Sequence, residues 1–179
     1  MEKKKNILIT GPPGVGKTTI ALKVWRELEG LAPAGFITGE IREGGVRKGF
    51  SLLGLDGSRG TLAHVDIISP FRVGKYRVDV KGFDGFLEKL SLPEQVSPLL
   101  IIDEVGKMEC FSRIFTKQVL GILEDGSKVV VATVAMRGAG LIADLKERDD
   151  VSLFSVSKRN RDTVFPLVLS AVRAALGPP

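Results

Sequence analysis

The segment GPPGVGKTT, residues 11–19, directly follows the apolar run Ile7–Ile9. An amphipathic pattern begins at Thr18 and continues to Glu29, with apolar residues at the spacing of a helix that buries one face. Glycines let a backbone adopt conformations closed to other residues and approach a ligand closely. The segment fits G-x-x-x-x-G-K-[ST], so the sequence predicts a strand, a phosphate-binding loop and a helix.

The loop residues have separate predicted roles. We expect the backbone amides from Gly14 to Thr18 to point at the phosphates of a nucleotide, with the positive end of the helix dipole behind them. Lys17 is expected to reach the β- and γ-phosphates, and the Thr18 hydroxyl to bind Mg²⁺. Pro12 and Pro13 have no amide hydrogen and stiffen the loop. The predicted nucleotide-binding residues here are Gly11, Pro12, Pro13, Gly14, Val15, Gly16, Lys17, Thr18 and Thr19.

Two adjacent acids, Asp103 and Glu104, end the apolar run Leu99–Ile102. A continuous apolar run of this length is typical of a strand buried on both faces of a parallel sheet. Asp103 is predicted to hold Mg²⁺ together with Thr18, and Glu104 to orient or deprotonate an attacking water. Hydrolysis therefore ranks above mere binding, with Glu104 and Lys17 as the catalytic residues.

Strand and helix patterns alternate along the rest of the chain. Between residues 35 and 80, short β-like runs separated by Gly44-Gly45 and Asp56-Gly57 predict an antiparallel insertion. After residue 99, apolar runs alternate with helical patterns, which predicts a mainly parallel α/β sheet with right-handed crossovers. A length of 179 residues suits one domain, 1–179, with a β-rich insertion at about 35–80. The predicted helix boundaries are Gly30 after the first helix and Asp162 as N-cap of the last.

Composition excludes several classes of protein. The apolar runs are far shorter than the roughly 20 residues of a membrane span, and MEKKKN lacks the features of a signal peptide. One cysteine, Cys110, excludes an internal disulfide, and one histidine, His64, gives little support to zinc chemistry. We therefore expect a cytoplasmic protein, with a monomer favoured. The net charge of +5 favours polyanions, but nucleic-acid binding has no support beyond the basic run Lys3–Lys5.

The segment IDEVGKMECFS, residues 102–112, resembles the sequence IDE[IV]GKMELFS of the nucleoside-triphosphatase family first described from thermophiles. Further similarity lies in GFITGEIREGGVRKGF (35–50), RVGKYRVDV (72–80) and SVSKRNRD (155–162). The departure from the family pattern is Cys110, where leucine is usual. The resemblance covers nearly the whole chain.

This resemblance implies a P-loop NTPase fold, a three-layer sandwich of the additional-strand, catalytic-glutamate (RecA-like) type. Another strand then lies between the P-loop strand and the Asp103 strand, and KVVVATV (128–134) is the candidate. The resemblance also implies Mg²⁺-dependent hydrolysis of ATP, GTP, CTP and UTP to diphosphate and phosphate, with low base selectivity and slow turnover. The nucleotide-binding residues that it implies around the second motif are Leu100, Ile101, Ile102, Asp103, Glu104, Val105, Gly106 and Lys107.

Five further residues are candidates for contact with the nucleotide. Thr133 ends its strand and either senses the γ-phosphate or is structural. Asn160 and Arg161 follow the last strand, where they can reach the base or the phosphates. Arg42 and Arg137 either stabilise charge in the transition state or are solvated arginines.

Two alternative functions remain open at this point. A nucleotide or small-molecule kinase has a similar length and loop, although the arginine-rich lid usual in such kinases is absent from this sequence. A nucleotide-dependent switch module would pass its state to a protein or nucleic-acid partner. A phosphorylated acceptor would identify the kinase, and strong stimulation of hydrolysis by a partner would identify the switch.

Overall fold

The computed structural model describes residues 4–178, which form a single mixed sheet with helices on both faces. The strands are β1 (Asn6–Gly11), β2 (Ala34–Glu43), β3 (Val46–Gly54), β4 (Arg59–His64), β5 (Arg72–Val73), β6 (Tyr76–Val78), β7 (Leu99–Val105), β8 (Val129–Ala135) and β9 (Val151–Ser155). The helices are α1 (Lys17–Glu27), α2 (Val80–Leu90), α3 (Arg113–Asp125), α4 (Leu141–Glu147) and α5 (Arg161–Leu176). The strand order is β5-β6-β4-β3-β2-β7-β8-β1-β9.

The parallel part of the sheet places the two motif-bearing strands near each other. β8 pairs with β1 on one side and with β7 on the other, and Val131 lies opposite Ile7 and Ile101. The predicted additional strand is therefore confirmed, and so is the α/β fold class. Because the carboxyl ends of parallel strands meet at one edge, the segments that follow β1, β7 and β8 share that edge.

The antiparallel part begins on a strand that also belongs to the parallel part. β2 pairs in parallel with β7 over Ala34–Phe36 and along its length in antiparallel fashion with β3. Tight turns at Gly44-Gly45 and around Asp56-Gly57 join β2 to β3 and β3 to β4, which confirms both predicted hairpins. The antiparallel hairpins therefore extend the sheet from β2, on the side opposite to β7.

Two apolar layers hold the helices against the sheet. α1 and α5 pack on one face, and α2, α3 and α4 pack on the other. In the second layer the ring of Phe36 from β2 meets Phe83, Phe86 and Phe115 from the helices edge to face, with centroids 5.9–6.2 Å apart. These contacts fix the position of β2 relative to α2 and α3.

Two predicted helix boundaries are wrong. α1 ends at Glu27, and Gly30 lies in the short 3₁₀ turn that follows. Asn160, not Asp162, is the N-cap of α5, because the Asn160 carbonyl already accepts the amide of Val164. Across residues 4–178, none of the helices is both long enough and apolar enough to span a bilayer. Lys3 of the basic run lies outside the described residues.

Candidate active site

The segment between β1 and α1 has the backbone that a phosphate-binding loop requires. Gly14 and Gly16 have φ angles of 72° and 111°, in the left-handed region that favours glycine. α1 begins at Lys17, so its first amides face the loop with the positive end of the helix dipole. The Val156 amide donates to the Thr10 carbonyl (2.7 Å), which brings the segment after β9 against the start of the loop.

Lys17 lies across this loop. Its side chain is 6% exposed, and Nζ donates to the Gly11 carbonyl at 3.1 Å and to the Pro12 carbonyl at 3.5 Å. The same nitrogen lies 3.8 Å from Oε2 of Glu104. The loop lysine and the acid after β7 therefore meet in space, although 87 positions of sequence separate them.

Asp103 is fully buried and is held by three threonines. Thr18 Oγ1 donates to both carboxylate oxygens (3.1 and 2.9 Å), and Thr133 Oγ1 donates to Oδ1 at 2.5 Å. The Thr38 hydroxyl and amide donate to Oδ2 at 3.2 and 3.3 Å. Among residues 4–178, no lysine, arginine or histidine forms an ion pair with Asp103. A buried carboxylate without a cationic partner is costly, so this arrangement fits a site that a bound cation completes.

Mg²⁺ matches the donor atoms at this position. It prefers hard oxygen ligands, and it is usually held in NTPases by one or two protein oxygens together with substrate phosphates and water. Thr18 and Asp103 provide a hydroxyl and a carboxylate in contact with each other. The described part of the chain has no cluster of three or more acidic, histidine or cysteine side chains that could hold a metal alone. The residues present therefore fit Mg²⁺ bound together with nucleotide.

Two glutamates lie close to Gly106 in the segment that follows Asp103. A Cβ atom added at Gly106 would be 2.8 Å from Oε2 of Glu109 and 3.4 Å from Oε1 of Glu104. Burial raises the pKa of Glu104; the nearby Lys17 partly opposes that shift, and the charge of Asp103 adds to it. Burial raises the pKa of Glu109 to about 8, with a smaller contribution from the charges of Glu104 and Asp103. Glu109 is therefore mostly protonated at neutral pH, whereas Glu104 is 29% exposed and accessible to a substrate water.

The other predicted residues divide by burial. Leu100, Ile101, Ile102 and Val105 have fully buried side chains, so they position Asp103 and Glu104 from within the core. Pro12, Pro13 and Gly14 are exposed in the loop, and Thr19 is exposed in α1. Lys107 is exposed and has no ion-pair partner within residues 4–178.

Three candidate residues are not assembled with Asp103. Arg42 is paired with Glu40 (2.6 Å) and donates to the Gly45 carbonyl, within its own hairpin. Arg137 is exposed in the segment after β8. Arg161 is exposed at the start of α5.

Asn160 has a structural function in the segment before α5. Its Oδ1 accepts the Ser157 amide at 2.7 Å, and its Nδ2 donates to the Ser155 carbonyl at 2.9 Å. Its side-chain amide therefore closes the turn that lies against the phosphate-binding loop.

Sequence reasoning missed Thr38 and Glu109. Thr38 follows the buried pair Phe36-Ile37, just as Asp103 follows the run Leu99–Ile102. This shared pattern, a polar residue directly after buried apolar ones, is the sequence signal that could have identified Thr38. Glu109 had no such signal, because a single glutamate beside Lys107 and Cys110 is typical of an exposed loop. Its burial depends on how the 3₁₀ turn Glu109–Phe111 packs.

Comparison with known proteins agrees with this geometry. The sequence profile of the family described as NTPase matches residues 6–169. Nucleoside-triphosphatase THEP1 of Thermotoga sp. (strain RQ2) is 42% identical over 168 residues, 93% of this chain and 95% of the relative. The cancer-related nucleoside-triphosphatase of Homo sapiens is 34% identical over 190 residues, 96% and 98% of the two chains. The crystal structure of THEP1 from Aquifex aeolicus superposes with a TM-score of 0.79 at 31% identity, covering 94% of this chain and 99% of that one.

Proposed function

We propose that this chain, which belongs to the NTPase family, hydrolyses nucleoside triphosphates to nucleoside diphosphates and phosphate. The observation that carries the proposal is the meeting of Lys17, Thr18, Asp103 and Glu104 at one edge of the sheet. These four side chains provide a phosphate-binding cation, two oxygen ligands and a base. The relatives named as nucleoside-triphosphatases support the same reaction class.

Binding of the phosphates rests on the loop and α1. The amides from Gly14 to Thr18 and the dipole of α1 attract the negative charge of the β- and γ-phosphates. Lys17 adds a full positive charge, and its position against the Gly11 carbonyl keeps the amine in the mouth of the loop. These contacts recognise the phosphates and not the base, which supports low selectivity among ATP, GTP, CTP and UTP.

Thr18 and Asp103 would hold Mg²⁺. When bound, the ion would supply positive charge that offsets the negative charge of the triphosphate while the nucleoside diphosphate departs. Thr133 and Thr38 orient the Asp103 carboxylate from the neighbouring strands β8 and β2. Asp103 is therefore preorganised by hydroxyl donors before any ligand binds.

Glu104 is the proposed general base. Burial raises the pKa of its carboxyl, which makes the carboxylate a stronger proton acceptor than a solvated glutamate. It accepts the proton of the attacking water, and the Lys17 amine beside it favours the ionised form that this step needs. No arginine in residues 4–178 contacts Asp103 or Glu104, and P-loop enzymes that lack such an arginine turn over slowly.

The test compares phosphate release from ATP, GTP, CTP and UTP with Mg²⁺ by the wild type, Glu104→Gln and Lys17→Ala. Glu104→Gln is expected to bind nucleotide as the wild type does and to release phosphate about 10²–10⁴ times more slowly. Lys17→Ala is expected to lose nucleotide binding as well. Exposed residues on other surfaces, Glu94→Gln and Lys117→Ala, are the matched controls.

A wild type that binds all four nucleotides but releases phosphate from none would contradict the proposal. Assays for a phosphorylated acceptor and for an activating partner would then distinguish a kinase from a switch module. Glu104→Gln with wild-type turnover would remove Glu104 as the base and leave the reaction class standing.

A further inference from the structure

A second cavity, of about 500 Å³, opens at the same edge of the sheet. Its walls are β5 with the turn to β6, the segment that follows β7, and the stretch from the end of β8 into α4. That volume lies within the range of small-molecule sites, roughly 300–1,000 Å³. Of the residues that line it, only Lys107 also belongs to the predicted nucleotide-binding residues.

The cavity shares no residue with the phosphate-binding loop or with Glu104. Glu104 faces Lys17, and Lys107, three residues further along the same segment, lines the cavity. The strand order places the β5–β6 turn on the opposite side of β7 from β1. Because none of the residues 11–19 and neither Asp103 nor Glu104 lines the cavity, its walls stay available when a nucleotide occupies the loop.

The charge of the cavity favours an anion. Arg72 and Lys107 both line it, and none of the lining side chains is acidic. Within residues 4–178, neither Arg72 nor Lys107 forms an ion pair with an acidic side chain. The Cys110 thiol adds no negative charge, because burial raises its pKa to about 11.

The rest of the lining favours a planar apolar group. Phe111 presents a half-buried ring whose other neighbour is Phe71, with centroids 5.2 Å apart. Val73, Ala139 and Ile142 complete the apolar walls. A flat ring on the ligand can pack against Phe111 while its anionic group reaches Arg72 and Lys107.

We propose that this cavity binds a second small molecule, an anion that carries a planar apolar ring, at the same time as the nucleotide. The ligand class follows from two basic side chains, without ion-pair partners among residues 4–178, that line the same cavity as aromatic and aliphatic side chains. This inference goes beyond hydrolysis, and its test measures binding without turnover. Failure of one proposal therefore does not imply failure of the other.

The probe is phenyl phosphate, titrated by calorimetry into protein saturated with ADP and Mg²⁺. Inorganic phosphate, which has the anionic group alone, and phenol, which has the ring alone, are titrated in parallel. Phenyl phosphate is expected to bind at least about tenfold more tightly than either one. The sole cysteine gives a second readout, since bound probe is expected to slow alkylation of Cys110 by N-ethylmaleimide at alkaline pH.

Two variants test the location of binding. Arg72→Ala removes one of the two positive charges and is expected to weaken binding of phenyl phosphate about tenfold. Arg59→Ala, at another exposed arginine, on β4, is expected to leave binding unchanged. Ala139→Trp fills the cavity from its exposed rim and is expected to abolish both binding and protection of Cys110.

Four results would overturn the proposal: no binding of phenyl phosphate by the wild type, loss of binding when ADP is present, equal affinity for inorganic phosphate, or binding unchanged in both Arg72→Ala and Ala139→Trp.

Discussion

Asp103 accepts hydrogen bonds from three threonines that come from different elements. Thr18 lies in the first turn of α1, Thr38 lies on β2 and Thr133 lies on β8. Each hydroxyl restricts the orientation of a carboxylate that is fully buried. Residues that orient a metal ligand commonly change metal affinity by 10–100-fold when they are lost. The three threonines are therefore expected to affect Mg²⁺ binding by orienting the Asp103 carboxylate.

Thr38→Val is predicted to raise the Mg²⁺ concentration needed for half-maximal phosphate release about tenfold. The substitution keeps the shape and the backbone amide but removes the hydroxyl that donates to Asp103. A Mg²⁺ titration at saturating nucleotide measures the effect. Thr38→Ser is the control and should restore the wild-type midpoint; an unchanged midpoint in Thr38→Val would show that the hydroxyl does not act through the metal.

Glu109→Gln is predicted to change how stability depends on pH. The folded protein holds the Glu109 proton up to about pH 8, whereas the unfolded chain loses it near pH 4.5. Between these values the folded state binds more protons, so this group's contribution to the free energy of unfolding falls as pH rises. Glutamine carries no such proton. The variant should gain stability relative to the wild type from pH 5 to pH 9, by on the order of 2–4 kcal/mol.

Urea unfolding of both proteins at pH 5 and pH 9, without nucleotide or Mg²⁺, measures this difference. Glu94→Gln, an exposed site, is the matched control and should show no such change. Equal differences between Glu109→Gln and the wild type at the two pH values would contradict the buried, protonated state of Glu109.

At the scale of elements, the pairing of β2 with β7 depends on a glycine. Gly35 pairs with Ile101, has a φ of 125°, and a Cβ atom there would overlap the Ile101 carbonyl oxygen. Thr38 lies three residues further along the same strand, so this close approach also brings the Thr38 hydroxyl to Asp103. The glycine therefore serves both the packing of the sheet and the geometry of the site.

Gly35→Ala is predicted to lower the free energy of unfolding by about 3 kcal/mol or more, because the two strands must separate to admit the methyl group. The matched control is Gly85→Ala in α2, where the added methyl meets nothing within 4 Å. That variant should be neutral or more stable by up to about 1 kcal/mol. Chemical denaturation measures both, and equal effects of the two substitutions would contradict the close approach of β2 and β7.

At the scale of the whole molecule, the site joins elements from both apolar layers. α1 packs on one face of the sheet and α3 on the other, and β1, β7, β8 and β2 lie between them. A ligand that contacts the loop before α1 and the ends of β7 and β8 therefore adds to the contacts that Lys17 and Thr18 already make with Glu104 and Asp103. Such a ligand binds the folded state and not the unfolded chain.

ADP with Mg²⁺ at about 100 times its dissociation constant is predicted to stabilise the protein by about 2.7 kcal/mol. For a chain of this length that corresponds to a rise in the melting temperature of about 5–10 °C. Thermal unfolding with and without ligand measures the shift. Lys17→Ala should lose it and Lys117→Ala on α3 should keep it; an equal shift in both variants would place the nucleotide away from the loop.

The sequence alone determined the features that depend on near neighbours. The glycine spacing specified the phosphate-binding loop, the apolar run before Asp103 specified a buried strand, and the Gly44-Gly45 pair specified a hairpin. Each follows from local backbone preferences or from side-chain periodicity, so a short window of sequence suffices. The position of β8 between β1 and β7 came instead from the resemblance to a family, because periodicity does not order strands within a sheet.

Only the tertiary structure decided which distant residues surround Asp103. The contacts of Thr38 and Thr133 with its carboxylate depend on strand order and register, which long-range packing sets. The burial of Glu109 and the cavity lined by Arg72 and Lys107 likewise require segments far apart in the sequence. Hydrogen bonding and desolvation act between atoms that are close in space, and a short window of sequence does not show which distant residues will be close.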